Sequence, residues 1–221
     1  MNGHGAQVTW IGDIDNTAGL NWLEALARED EPDTASDSAL YALALHRDNG
    51  AGQRLYALAK EQSGSISEEA IFWLGEARGD AGFELLVRLL GELPSGETRR
   101  RINFALSQND SNEAADLLYT IASSDADSEQ RGDALFWLAE EYPQRAEKML
   151  LHVISSEQDE DVLEQAVFAV SQLPAGRGDE ILLQLAQDKQ MPSVVRRQAF
   201  FWLANSDDEE TVTMLTELLT Q

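Results

Sequence analysis

The sequence predicts an all-α protein in which short helix hairpins stack one on another as a solenoid. Three observations predict it: an apolar motif that returns about every 32 residues, a leucine that keeps the same beat further along each unit, and prolines confined to the intervals. The motif is plainest as AIFWLGE from Ala70, ALFWLAE from Ala134 and AFFWLAN from Ala199. Weaker copies are INFALSQ from Ile102, AVFAVSQ from Ala166, and ALYALAL from Ala39, where Leu45 replaces a polar residue. The shared ring falls at Tyr41, Phe72, Phe104, Phe136, Phe168 and Phe201, in steps of 31, 32, 32, 32 and 33 residues.

Each motif has the length and 3.6-residue apolar spacing of a short amphipathic helix. A second apolar helix follows it, with a central leucine at Leu23, Leu55, Leu86, Leu118, Leu150, Leu182 and Leu215. Leu23 precedes the first ring, which implies a further unit at the start whose first helix, VTWIG from Val8, looks cut short. The units therefore run approximately 1–31, 32–62, 63–94, 95–126, 127–158, 159–191 and 192–221, about seven in all, forming one domain. Pro32, Pro94, Pro143, Pro174 and Pro192 all lie between the predicted helices, as do Gly79, Gly96, Gly176 and Gly178. A hairpin this small cannot bury its own apolar face, so neighbours must stack to do so.

On a helical wheel Ile66, Ala70, Trp73, Leu74 and Ala77 share one side, which places Trp73 in the core stripe and Phe72 nearly opposite. The tryptophan slot alternates large and small: Trp10, Ala42, Trp73, Ala105, Trp137, Ala169, Trp202. Such alternation lets units interdigitate without overfilling the space between them. A core indole predicts a loss of about 3–5 kcal/mol for Trp137→Ala.

The row Phe72, Phe104, Phe136, Phe168 and Phe201 reads in two ways. The rings half-bury one another along the outer helix layer, or they form an apolar ridge, rimmed by Glu76, Gln108, Glu140, Gln172 and Asn205, of the kind that marks a protein interface. On the second helices the positions flanking the leucines hold four acids (Glu84, Asp116, Glu180, Glu217) and four bases (Arg28, Lys60, Arg88, Lys148), so the inner surface is near neutral. Tyr56 and Tyr119 stand at its flank, as peptide anchors or as amphipathic filler.

These residues resemble HEAT repeats, whose first helix has the loose form V-R-x-x-A-A-x-A-L-G. VRRQAFFWLA from Val195 follows it closely, and ISEEAIFWLG from Ile66 does so with Ser67 in the arginine position. The resemblance covers nearly the whole chain and is closest to the short HEAT-like repeats of the phycobilin-lyase type and to repeat modules of bacterial proteins. It implies a right-handed α–α superhelix and a scaffold, with Arg99, Arg131 and Arg196 as ladder residues that bridge to linker carboxylates.

Composition limits the chemistry. The 221 residues carry a formal charge of −24, from 40 acidic and 16 basic side chains, which repels nucleic acid and anionic lipid. There is no cysteine, hence no disulfide, thiolate metal site or thiol nucleophile. Asp125 with Asp127, and Asp13 with Asp15, lack the rest of a calcium loop and read as helix caps. His4, His46 and His152 each stand alone with no glutamate following, so the paired His-Glu centre of the HEAT-like deoxyhypusine hydroxylases is ruled out. The acidic whole argues against a HEAT-like DNA glycosylase, and no nucleophile elbow or phosphate loop is present.

The reading is thus a non-enzymatic protein-binding scaffold, without metal or cofactor, acting as a module of a longer bacterial polypeptide. Its candidate partner-binding residues are Phe72, Phe104, Phe136, Phe168, Phe201, Tyr56 and Tyr119. The alternative is a phycobilin-lyase-like or other small-molecule-binding chaperone, which in the phycobilin-lyase-like case would hold a tetrapyrrole in its inner pocket. No 18-residue apolar run exists to insert in a membrane, and no compartment is indicated.

Overall fold

The computed structural model describes residues 14–29, 34–61, 64–93, 96–174 and 176–206. Within these the chain is all-helical, with eleven helices and no strand. The helices are α1 (Asn16–Ala27), α2 (Thr34–Leu45), α3 (Gly50–Glu61), α4 (Ser65–Glu92), α5 (Glu97–Ser107) and α6 (Asn112–Ser124), then α7 (Ser128–Glu141), α8 (Pro143–Ser156), α9 (Glu160–Ser171), α10 (Arg177–Gln187) and α11 (Ser193–Ala204). The VTWIG stretch, the first of the indoles at Trp10, and Leu215 lie outside the described residues.

Helix α4 is two helices joined at Gly79, whose φ of 49° and ψ of −136° break the regular backbone. A Cβ at Gly79 would meet nothing within 4 Å, so it is the backbone angle that requires glycine there. Elsewhere the helix boundaries follow local chemistry. Asp15, Ser111, Asp127 and Asp159 each cap a helix by accepting from its first free N–H groups. Pro143 opens α8, where its missing N–H costs nothing.

The core is one contiguous body of leucine, isoleucine, valine and alanine drawn from the inner faces of all the helices. Leu55, Leu86, Leu118, Leu150 and Leu182 are wholly buried in it. Four residues before each leucine of the second helices comes a small one: Gly19, Ala51, Gly82, Ala114, Ala146 and Gly178. The hairpin partners cross at this row, for a Cβ on Gly82 would sit 1.9 Å from the Leu74 carbonyl oxygen and one on Gly178 2.4 Å from that of Val170.

Substantial contacts join only helices one or two places apart in the chain. The first helices of successive units (α2, the start of α4, α5, α7, α9, α11) run beside one another, each also packed on the second helix before it. Stability of this kind is local and passed from neighbour to neighbour.

The units are tied by polar side chains that close the free carbonyls of the preceding unit. Arg78 donates to the carbonyls of Ala44 (3.3 Å) and His46 (2.6 Å) at the end of α2. Asn109, fully buried, donates to Gly75 and Gly79 at 3.1 Å each, and the Tyr142 hydroxyl reaches Asn109 O at 3.0 Å. On the other edge Ser36 and Ser67 donate to Ala27 O and Ala59 O, at the ends of α1 and α3. Two of the three ladder arginines reach linker carboxylates. Arg99 pairs with Asp125 at 2.6 Å, while Arg131 donates to Asp125 O at 2.9 Å and lies 3.5 Å from both Glu157 and Asp159. The acidic stretch beyond Arg196 lies outside the described residues.

Candidate functional site

The first helices present a continuous line of aromatic rings. Tyr41 meets Trp73 at 5.2 Å between centroids, Trp73 meets Phe72 at 4.9 Å, and Phe72 stacks on Phe104 at 5.9 Å. The pattern then repeats. Phe104 meets Trp137 (4.6 Å), Trp137 meets Phe136 (4.8 Å) and Phe136 stacks on Phe168 at 5.7 Å. Phe168 meets Trp202 at 4.8 Å, and Trp202 meets Phe201 at 5.0 Å. These separations are those of favourable ring pairs.

The structural period on this face is therefore two units. Where a unit carries tryptophan, its indole fills the seam toward the preceding unit. Where it carries alanine, the two phenylalanines stack and the helices close up. A Cβ added at Gly75 would lie 2.0 Å from the Ala105 carbonyl oxygen, and one at Gly132 2.9 Å from Gln165 Cβ, so both alanine seams leave no room.

The indoles correct the core assignment. Trp73, Trp137 and Trp202 are half-buried, not enclosed, because the seam they fill opens onto the ring-bearing face. Phe72, Phe104, Phe136 and Phe168 are half-buried too, each shielded by its neighbours in the line, while Phe201 is 52% exposed and Tyr41, at the other end, 50%. The rings thus cover one another, and the line they form still faces water.

Polar groups rim the ridge. On one side stand Glu76, Gln108, Glu140, Gln172 and Asn205, and on the other Ser38, Glu69, Arg101, Asp133, Gln165 and Gln198, one per unit. Asp133 is the most deeply set of the second row. Burial pushes its carboxyl up to about 6, against the hydrogen bond it accepts from Asn103 Nδ2 at 3.0 Å. The buried indole N–H of Trp137 lies beside it, short of hydrogen-bonding geometry with any acceptor. Glu69 is its counterpart near Trp73, and its carboxyl is raised by burial first and by the charge of Asp37 second.

Around Glu69 the ridge opens into a cleft of about 550 Å³. Tyr41, Phe72, Trp73 and Phe104 line it together with Asp37, Glu68 and Arg101.

The second-helix face is laced by ion pairs. Glu24 binds Arg54 at 2.5 Å and Arg28 at 2.8 Å, Lys60 binds Glu92 at 2.6 Å, Asp116 pairs with Arg145, and Glu147 binds Arg177 at 2.6 Å. Tyr56 is only 8% exposed; its hydroxyl donates to Glu92 at 2.6 Å and the Arg88 guanidinium lies 4.4 Å from its ring centre. Its ring is thus already covered. Tyr119, on α6, is 44% exposed and makes none of the ring contacts of the line. Sequence reasoning missed Trp73, Trp137 and Trp202 as members of the exposed line, and missed Asp37 and Glu69 beside it.

Among the described residues no three His, Asp or Glu side chains are grouped as metal ligands, and no helix is long and apolar enough to cross a membrane. No family model matches the chain, and no curated protein is significantly similar to it.

Proposed function

We propose that the chain is a right-handed, HEAT-like α-solenoid that acts without catalysis as a protein-binding scaffold, and that the partner lies along the first-helix ring line. The observation that carries this reading is the continuity of the line: nine rings in unbroken contact, half-exposed and rimmed by polar side chains. A soluble surface that serves only packing has no need of an aromatic ridge that length, since a polar residue at the phenylalanine slot leaves the leucine core intact. Aromatic rings at a partly exposed, polar-rimmed patch are the residue type enriched at protein interfaces. On the second-helix face Arg28, Arg54, Lys60, Arg145 and Arg177 are each already held in ion pairs, which favours the ring line as the surface.

The test is capture of partners by the full chain from its source cells, compared with Phe136→Ser and Phe168→Ser. The reading expects one partner set lost in both variants while helicity is kept. Capture indifferent to both variants would count against it.

A further inference from the structure

The cleft at the α2–α4–α5 end of the ring line brings two mutually repelling carboxylates together against its rings. Asp37 and Glu69 line it, and no described cation forms an ion pair with either. The one cation in the lining, Arg101, is held by Glu68 at 2.7 Å and Glu97 at 3.2 Å. Glu69 is part-buried and pays for the nearness of Asp37, so a positive charge entering the cleft would relieve a repulsion already built there. The faces of Tyr41, Phe72, Trp73 and Phe104 offer the complementary half of such a site, because an aromatic face attracts a cation.

Charge and shape select the occupant. An anion would be repelled by Asp37 and Glu69 and by the −24 of the whole chain. A purely apolar group would bury two carboxylates without compensation. A guanidinium suits both walls: it is weakly hydrated, stacks flat on rings and can give two parallel hydrogen bonds to one carboxylate. We propose that this cleft binds the side chain of an arginine on a basic segment of a partner protein. The proposal rests on the scaffold reading and adds the chemistry of the partner.

The test is a titration of the full chain with acetyl-Gly-Arg-Gly-amide, followed by the indole N–H resonances of Trp73, Trp137 and Trp202. The expected result is saturable movement confined to Trp73, and at least about tenfold weaker binding of the same peptide with uncharged citrulline in place of arginine. Glu69→Gln and Asp37→Asn are expected to weaken binding about fivefold each with helicity kept. Equal movement by the citrulline peptide, no movement of Trp73 at saturating arginine peptide, or unchanged binding in both variants would overturn the site. Partner capture through Phe136 and Phe168 is read independently. A null titration beside ring-dependent capture removes the arginine site and leaves the scaffold, while loss of both removes the scaffold as well.

Discussion

The rings of Phe136 and Phe168, 32 residues apart in sequence, lie 5.7 Å apart and within 2° of parallel. They belong to adjacent first helices whose seam is closed by Gly132, so the stack is a direct report of how two units meet. If the contact is energetic as well as geometric, a double-mutant cycle of Phe136→Ala and Phe168→Ala should give a coupling of about 0.5–1.5 kcal/mol. Coupling indistinguishable from zero in urea titrations would mean that the rings merely happen to face each other.

The indole seams predict a smaller loss than a core position would. Trp137 is half-buried, so Trp137→Ala should cost about 2–3 kcal/mol, not the 3–5 kcal/mol of a fully enclosed ring. Denaturant titration of the variant decides between the two ranges. A loss under about 1 kcal/mol would show that the seam closes without its indole.

Two glycines in α4 should respond in opposite directions to the same change. Gly75→Ala drives a methyl into the backbone of α5 and should destabilise by about 1–3 kcal/mol. Gly91→Ala meets nothing within 4 Å in a helical stretch and should stabilise by about 0.5–1 kcal/mol. Thermal melts of the pair check this, and equal effects would contradict the close approach of α4 and α5.

Asp133 predicts a pH dependence with a definite sign. Its carboxyl ionises near 6 when folded, against an ordinary value of 3.8. A raised folded value means that the fold prefers the protonated form. The contribution of Asp133 is therefore complete below pH 3.8 and is lost as pH rises through 6. Asp133→Asn, which cannot ionise, should gain stability relative to the parent between pH 4 and pH 7, by on the order of 2 kcal/mol. A stability difference that stays flat over that range would show that the carboxyl is not desolvated as the structure implies.

The repeat was legible because each unit must solve the same packing problem with the same residue type, and leucine and phenylalanine recur accordingly. All-helical character followed from that spacing and from the placing of the prolines. The alternation of tryptophan with alanine was visible too, but a wheel drawn on one helix cannot tell a core position from a seam between two helices. Only the contact of Trp73 with Tyr41, and of Trp137 with Phe104, shows that the indoles face the previous unit.

Tyr56 was misleading for a related reason. The partners that cover it, Arg88 and Glu92, lie more than thirty residues away, and nothing in its own helix announces them. The ties between units were hidden because three different residue types, Arg78, Asn109 and Tyr142, perform one task. A search for repeated letters does not find repeated roles.

The most direct test of the account is to place a photo-crosslinking phenylalanine analogue at Phe168, Phe201 or Tyr119 and irradiate the full chain in its source cells. The account predicts that positions 168 and 201, on the ring line, crosslink to the same partner, and that position 119, on the second-helix face, does not. Crosslinks to a partner from position 119 alone would put the interface on the other side of the protein.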